Sequence, residues 1–218
     1  MKRRGFFVLI GGASVGMMLT SAPRLTAETA NTPLSQATPW ARALIDAAVA
    51  QIGITTGYDP SYRGLDFPMG DVPRQVGVCT DVVVRAYRDA FNIDLQALIH
   101  ADMKRAFDQY PTIWGLRRTD ANIDHRRVPN IERFLQRAGA DMPPSTDPQD
   151  YRAGDLVTQR LPGNLPHIGI VTDQASADGK RPMMVHNIGR GTHHEDRVFE
   201  FQIVGHFRAA PEILNAFV

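Results

Sequence analysis

Apolar positions recur at helical spacing between residues 40 and 140 and alternate as in strands beyond residue 155. WARALIDAAVAQI, residues 40–52, sets Trp40, Leu44, Ile45, Ala48 and Ile52 on one face and predicts a helix. CTDVVVRAYRDAF repeats the spacing with Val82, Val83, Ala86, Tyr87 and Ala90, predicting a helix that begins near Cys79. Its β-branched run Val82, Val83 and Val84 would suit a strand. Arg85, Arg88 and Asp89 fit a solvated helical face better. LQALIHADMKRAFDQY and PNIERFLQRAG predict two further helices, the second punctuated by Pro129 and Gly139. DLVTQR, HIGIVTDQ, PMMVHNI and RVFEFQIVGHFR read as strands, with SADGK as a hairpin turn. Helices followed by strands indicate an α+β fold with a mostly antiparallel sheet. Residues 55–76 read as a long ordered loop, and the proline-rich stretch after residue 140 as turns.

Composition adds little to that outline. A chain of 218 residues, 43% hydrophobic and 22% charged, fits one globular domain with a real core. The amino terminus changes the picture more. Lys2, Arg3 and Arg4 precede an apolar run over 6–19 and then small residues, with a cleavage point expected after Ala22 or Ala27. This is the layout of an export signal over 1–27, followed by a linker over 28–39 and a single domain over 40–218 with a helical insertion at about 95–150. RRGFF resembles a twin-arginine signature, but the general secretory route fits better. The apolar run is shorter than the roughly 20 residues of a spanning helix, so no membrane span is expected after cleavage. An exported protein of the periplasm or cell envelope is the expectation. Removing Lys2, Arg3, Arg4 and Arg24 leaves 20 basic against 23 acidic residues, a balance of −3 that argues against nucleic-acid binding.

The chain has one cysteine, which excludes an internal disulfide and multi-cysteine metal sites. A lone exported cysteine is a reactive thiol, an intermolecular partner or a buried residue. Cys79 at a helix start has one of the means of activating a thiol, and an imidazole would supply another. His167 opens the strand HIGIV and His186 ends the strand MMVHN, so neighbouring strands can bring the two together. Alternation turns Asn187 to the opposite face, which favours His186 as the group that orients the base. NIDHRRV gathers Asp124, His125, Arg126 and Arg127, and two arginines can grip a carboxylate. A structural ion-pair network is the alternative there. GTHHED reads as a polar hairpin turn rather than a metal site, because adjacent strand histidines face opposite ways. No metal or cofactor is expected. Trp114 either lines a cleft or belongs to the core.

QIGITTGYDPSY, GVCTDVVVRAYRDAFNIDL, YRAGDLV, LPHIGIV and MMVHN together resemble the NlpC/P60-type papain-like cysteine peptidases. YDPSY, GDVP, GVCTDVV, NIDHRRVPN, PHIGIV and VHNIG resemble more closely a bacterial family in that superfamily, domain of unknown function 1287, over about residues 51–208. The resemblance implies a papain-like fold, with Cys79 as nucleophile, His167 as general base and His186 as orienting residue. Tyr58, or else Tyr62, would polarise the scissile carbonyl. The superfamily's DCSG is VCTD here, so Asp81 stands where glycine is usual, and a helix-capping role is expected for it. The implied activity is amide hydrolysis through a thioester, with peptidoglycan stem peptides as substrate and their carboxylates meeting the 124–127 cluster. The alternatives are an acyl hydrolase or acyltransferase acting on esters or thioesters, and a non-catalytic envelope-binding module.

Overall fold

The computed structural model describes Met1 and residues 36–217. The expected export signal and most of the linker lie outside the described residues. No helix among them is long and apolar enough to cross a membrane.

Helix α1 (Pro39–Val49) is capped by Thr38, whose hydroxyl accepts from the Ala41 N–H, and buries Ala41, Leu44, Ile45 and Ala48. It stops three residues before Ile52, which is 41% exposed rather than on the buried face. A loop follows that holds two short strands, β1 (Gly57–Tyr58) and β2 (Val76–Gly77), paired in parallel. Helix α2 (Cys79–Phe91) buries Val82, Val83, Val84, Ala86 and Tyr87 and ends at Asn92 in the left-handed conformation. Helices α3 (Leu95–Arg105) and α4 (Val128–Arg137) come next, with a 3₁₀ turn at Asp124–Arg126 before α4.

The six-stranded sheet runs in the order β3, β8, β4, β5, β6, β7, and every pairing in it is antiparallel. Its strands are β3 (Asp141–Met142), β4 (Leu156–Leu161), β5 (Leu165–Ala175), β6 (Pro182–Asn187), β7 (Thr192–Glu195) and β8 (Gln202–Phe207). Helix α5 (Pro211–Ala216) closes the described chain. The fold is α+β with a mostly antiparallel sheet. Thr192–Glu195 is a strand rather than the polar hairpin turn expected from GTHHED. Its three residues after Thr192 are only part-buried, so an edge strand looks as polar as a turn.

The sheet is two-faced. Ile168, Ile170 and Val185 join the main core with α1, α2, α3 and α4. Val157, Val171 and Met184 form a second cluster with Tyr151 and Val198. Alternation along β5 and β6 therefore sets His167, Gly169 and His186 on the side away from α2. Gly169 is required there: a Cβ on it would overlap the Met184 methyl and lie 3.0 Å from the His186 Cβ and 3.0 Å from the Val185 carbonyl oxygen.

Candidate active site

Cys79 is the first residue of α2. Asp81, two residues on, holds that helix end by accepting from the Val78 N–H at 2.7 Å with Oδ2. This is half of a capping box, since Val78 has no side-chain oxygen to return the bond. Arg126 then grips the Asp81 carboxylate from the 3₁₀ turn, with Nε to Oδ1 at 3.1 Å and Nη2 to Oδ2 at 3.0 Å. Its other donors reach the Ser61 carbonyl at 3.2 Å and the Asp59 carbonyl at 3.0 Å. One buried guanidinium thus ties α2, the 55–76 loop and the insertion together. Arg85, one turn along the same helix face, ties α2 to the loop alone, bonding Asp71, Thr55 and the carbonyls of Val72 and Val76.

The thiol itself is buried, and Sγ accepts a backbone N–H from Ile168 on β5 and from the helix start. Burial pushes it up to about 11, with Asp81 adding to the rise and the backbone donors opposing it. The helix start therefore does not depress the thiol as expected. Desolvation of a thiolate outweighs the N–H groups. Tyr58 hydrogen-bonds Cys79, and its phenol is raised by burial and then by Cys79.

On the other wall His167 Nε2 meets His186 Nδ1 at 2.8 Å, with the rings in edge contact. His186 Nε2 continues to Glu195 Oε2 at 3.1 Å. Burial holds His167 down to about 3 and His186 down to about 4, so both rings are neutral at pH 7. Asn187 has another task. Its Nδ2 donates to the Gly57 and Gly77 carbonyls, and its Oδ1 accepts from Gly189 and Gly191. It fastens the β1–β2 pair, and with it Tyr58, to the end of β6.

Cys79, His167, Tyr58, Asn187, Trp114, Arg126 and Arg127 all line one cavity of about 390 Å³. Tyr62 is not among its walls. Its hydroxyl bonds Asp120 at 3.1 Å and Asn122 at 2.9 Å, which fixes the loop instead. Asp124 and His125 also stay out of the cavity. Asp124 is 1% exposed, accepts from the Asp120 N–H at 2.5 Å, and is pushed by burial up to about 6. His125 is held by burial down to about 4. Of the four residues expected to grip substrate, Arg126 is taken by Asp81. The side chains of Arg127 and His125 make no hydrogen bond among the described residues, and of these two only Arg127 lines the cavity. Arg127 lies 4.3 Å over the Trp114 ring and 3.7 Å from Asp124. No group of His, Cys, Asp or Glu suited to a metal occurs among the described residues.

Glu195 and the Asp81–Arg126 pair escape sequence reasoning. Nothing in GTHHED marks Glu195 once that stretch is taken for a turn, although alternation from His193 would put it on the His186 side. Nothing local links Asp81 to a residue 45 positions away.

The family model described as "Domain of unknown function (DUF1287)" matches residues 45–209. The uncharacterized protein YijF of Escherichia coli (strain K12) is 50% identical over 166 residues, covering 76% of this chain and 80% of the relative. The match contains both cavity walls, from Tyr58 through Cys79 and Arg127 to Glu195, and the chain belongs to the DUF1287 family.

Proposed function

We propose that this protein is an exported cysteine hydrolase of papain-like, NlpC/P60-type fold that cleaves an amide bond, with peptidoglycan stem peptides as substrate. One observation carries the reading: a thiol and a histidine held by a second histidine, from different elements, border one cavity. The sequence resemblance to NlpC/P60 peptidases supports the fold. Arg127, stacked on Trp114 at the rim and free of hydrogen bonds, supports a carboxylate-bearing substrate.

His167 Nε2 is engaged by His186, which leaves Nδ1 as its open nitrogen; Cys79 and His167 share no hydrogen bond at rest and meet across the cavity they both line. Thiol and imidazole rest as a neutral pair, so proton transfer accompanies attack. The Cys79 proton passes to His167 Nδ1 while sulfur bonds the scissile carbon. The Cys79 N–H and the Tyr58 hydroxyl donate to the oxyanion. His167 then protonates the leaving amine, the C–N bond breaks, and a thioester remains. Water attacks the thioester, giving a proton to His167. The collapsing intermediate expels sulfur, which recovers its proton from His167 as the acid departs.

Purified sacculi test this. Wild type should release peptide products and Cys79→Ala should release none. Activity retained in Cys79→Ala, or none in wild type on any amide, sinks the proposal. Two observations favour other readings. Val78, Ile123, Val128, Leu161 and Leu165 give the cavity apolar walls suited to an acyl chain, and turnover of acyl esters or thioesters in place of sacculi would establish that. The raised thiol suits a binding module. Sacculi bound by wild type and Cys79→Ala alike, with no product released, would support it.

A further inference from the structure

We propose that Glu195 is a positioning residue that sets the direction of the histidine chain and so makes His167 Nδ1 the base. The proposal rests on the hydrolase reading for its consequence, but the ring states it fixes exist with or without a substrate.

The argument is one of proton counting. An ionised carboxylate only accepts hydrogen bonds. Arg190 Nη2 donates to Glu195 Oε1 at 2.6 Å, and Arg197 Nε lies 3.3 Å from Oε2. Burial raises this carboxyl, but Arg197, His186 and Arg190 outweigh it and hold it below its ordinary range. His186 Nε2, facing Oε2 at 3.1 Å, must then carry the hydrogen. A neutral imidazole has one N–H, so His186 Nδ1 is an acceptor. His167 Nε2, 2.8 Å away, must donate to it. His167 is neutral as well, so its Nδ1 is left with a bare lone pair.

Reversing the chain would satisfy the same His167–His186 contact. His186 Nδ1–H would donate to His167 Nε2, and the hydrogen on His167 would sit at Nδ1. That nitrogen could not accept a proton from the thiol. Only the carboxylate at the far end separates the two states. Neither His193, whose Nδ1 donates to the Gly191 carbonyl, nor Arg197 makes a side-chain hydrogen bond to His186 among the described residues. They disfavour a charged His186 instead. When His167 takes up the thiol proton, the new positive charge is connected through His186 to the same carboxylate, inside a buried site where an isolated imidazolium is unfavourable.

The geometry follows from strand pairing. His186 and Glu195 lie on one side of the β6–β7 ladder as diagonal neighbours, because Met184 is paired with Glu195 and His186 with His193. β7 is the sheet edge, so Glu195 reaches both the buried ring and the two arginines, Arg190 exposed and Arg197 half-buried.

The test uses full-length protein labelled with ¹⁵N in histidine, with the His167 signals identified by their loss in His167→Gln. Wild type at pH 7 should show His167 as the Nε2–H tautomer. In Glu195→Gln, Arg190 keeps the amide oxygen at the Oε1 position and Arg197 gives up its contact, which turns the NH₂ toward His186, so the Nδ1–H tautomer should appear. Its kcat on sacculi should fall about 100-fold with KM little changed. Glu195→Asp, which keeps the carboxylate, should restore the Nε2–H state and most of kcat. It also serves as the reading if Glu195→Gln does not fold. An unchanged His167 tautomer in Glu195→Gln, or an Nδ1–H tautomer in wild type or in Glu195→Asp, overturns the proposal. Inactive wild type with the expected tautomers removes the hydrolase reading alone. Active wild type whose Glu195→Gln variant keeps its tautomer and its kcat removes the relay alone.

Discussion

Cys79 and His167 reach one cavity from walls built on different physics. The cysteine wall is fixed by formal charge. Asp81 and Arg126 form a buried bidentate pair, 5% and 2% exposed, and their remaining bonds go to backbone. The histidine wall is fixed by neutral rings, with its charges held at the rim on Glu195, Arg190 and Arg197. In neither wall does a formal charge belong to a reacting group at rest. Charge holds backbone where the chain is a loop, and sheet pairing holds the rings where backbone is already fixed.

The largest effect should come from acid, which attacks the neutral wall. His167, His186 and His125 have folded values held below the unfolded 6.5, so the unfolded chain binds protons first as pH falls. Their contribution is full above about pH 6.5 and is lost on the way down to about 3 or 4. Each should cost about 2 kcal/mol by pH 5. Asp124, raised to about 6, works in the opposite direction and offsets part of the loss. Urea unfolding at pH 7 and pH 5 should show a lower midpoint at pH 5. An equal or higher one contradicts the neutral wall.

Arg126→Ala attacks the charged wall and should cost about 3–5 kcal/mol, because it leaves Asp81 buried without its partner. A variant as stable as wild type by the same measurement would mean the pair does not hold the loop. Arg127→Ala should cost less, about 1 kcal/mol, since it loses the Trp114 stack and a 3.7 Å ion pair to Asp124 but no hydrogen bond. It should raise KM on sacculi about tenfold while kcat stays the same. Equal KM would remove Arg127 from the substrate. Tyr62→Phe, the mildest change, should leave turnover intact, whereas Tyr58→Phe should lower kcat. Similar losses in both would place the wrong tyrosine in the cavity.

Periodicity in the sequence carries much of this architecture. The helix starting at Cys79 and the strands holding His167 and His186 were legible because apolar spacing reports which residues face a core. Periodicity is blind to polar residues that face inward. Arg85, His125 and Arg126 are buried by partners far away in the chain, so a local pattern shows only charge. Edge strand β7 was lost for a related reason, since one side meets solvent and the other meets His186 rather than apolar residues. The 124–127 cluster shows the same limit in reverse. Four polar residues in a row suggested one surface, but a 3₁₀ turn and its following residue send them in different directions.

The bare position at Gly169 has a meaning for reading relatives. The Met184 methyl and the His186 Cβ stand over β5 where a side chain would otherwise be, so the glycine is a gap kept open for two residues of β6. A family member with alanine or larger at this position would have to move Met184 and would press on the His186 Cβ, loosening the His167–His186 contact even with every chemically active residue retained. An absent methyl group would then separate working members from silent ones, a mark that a search for conserved functional groups would pass over.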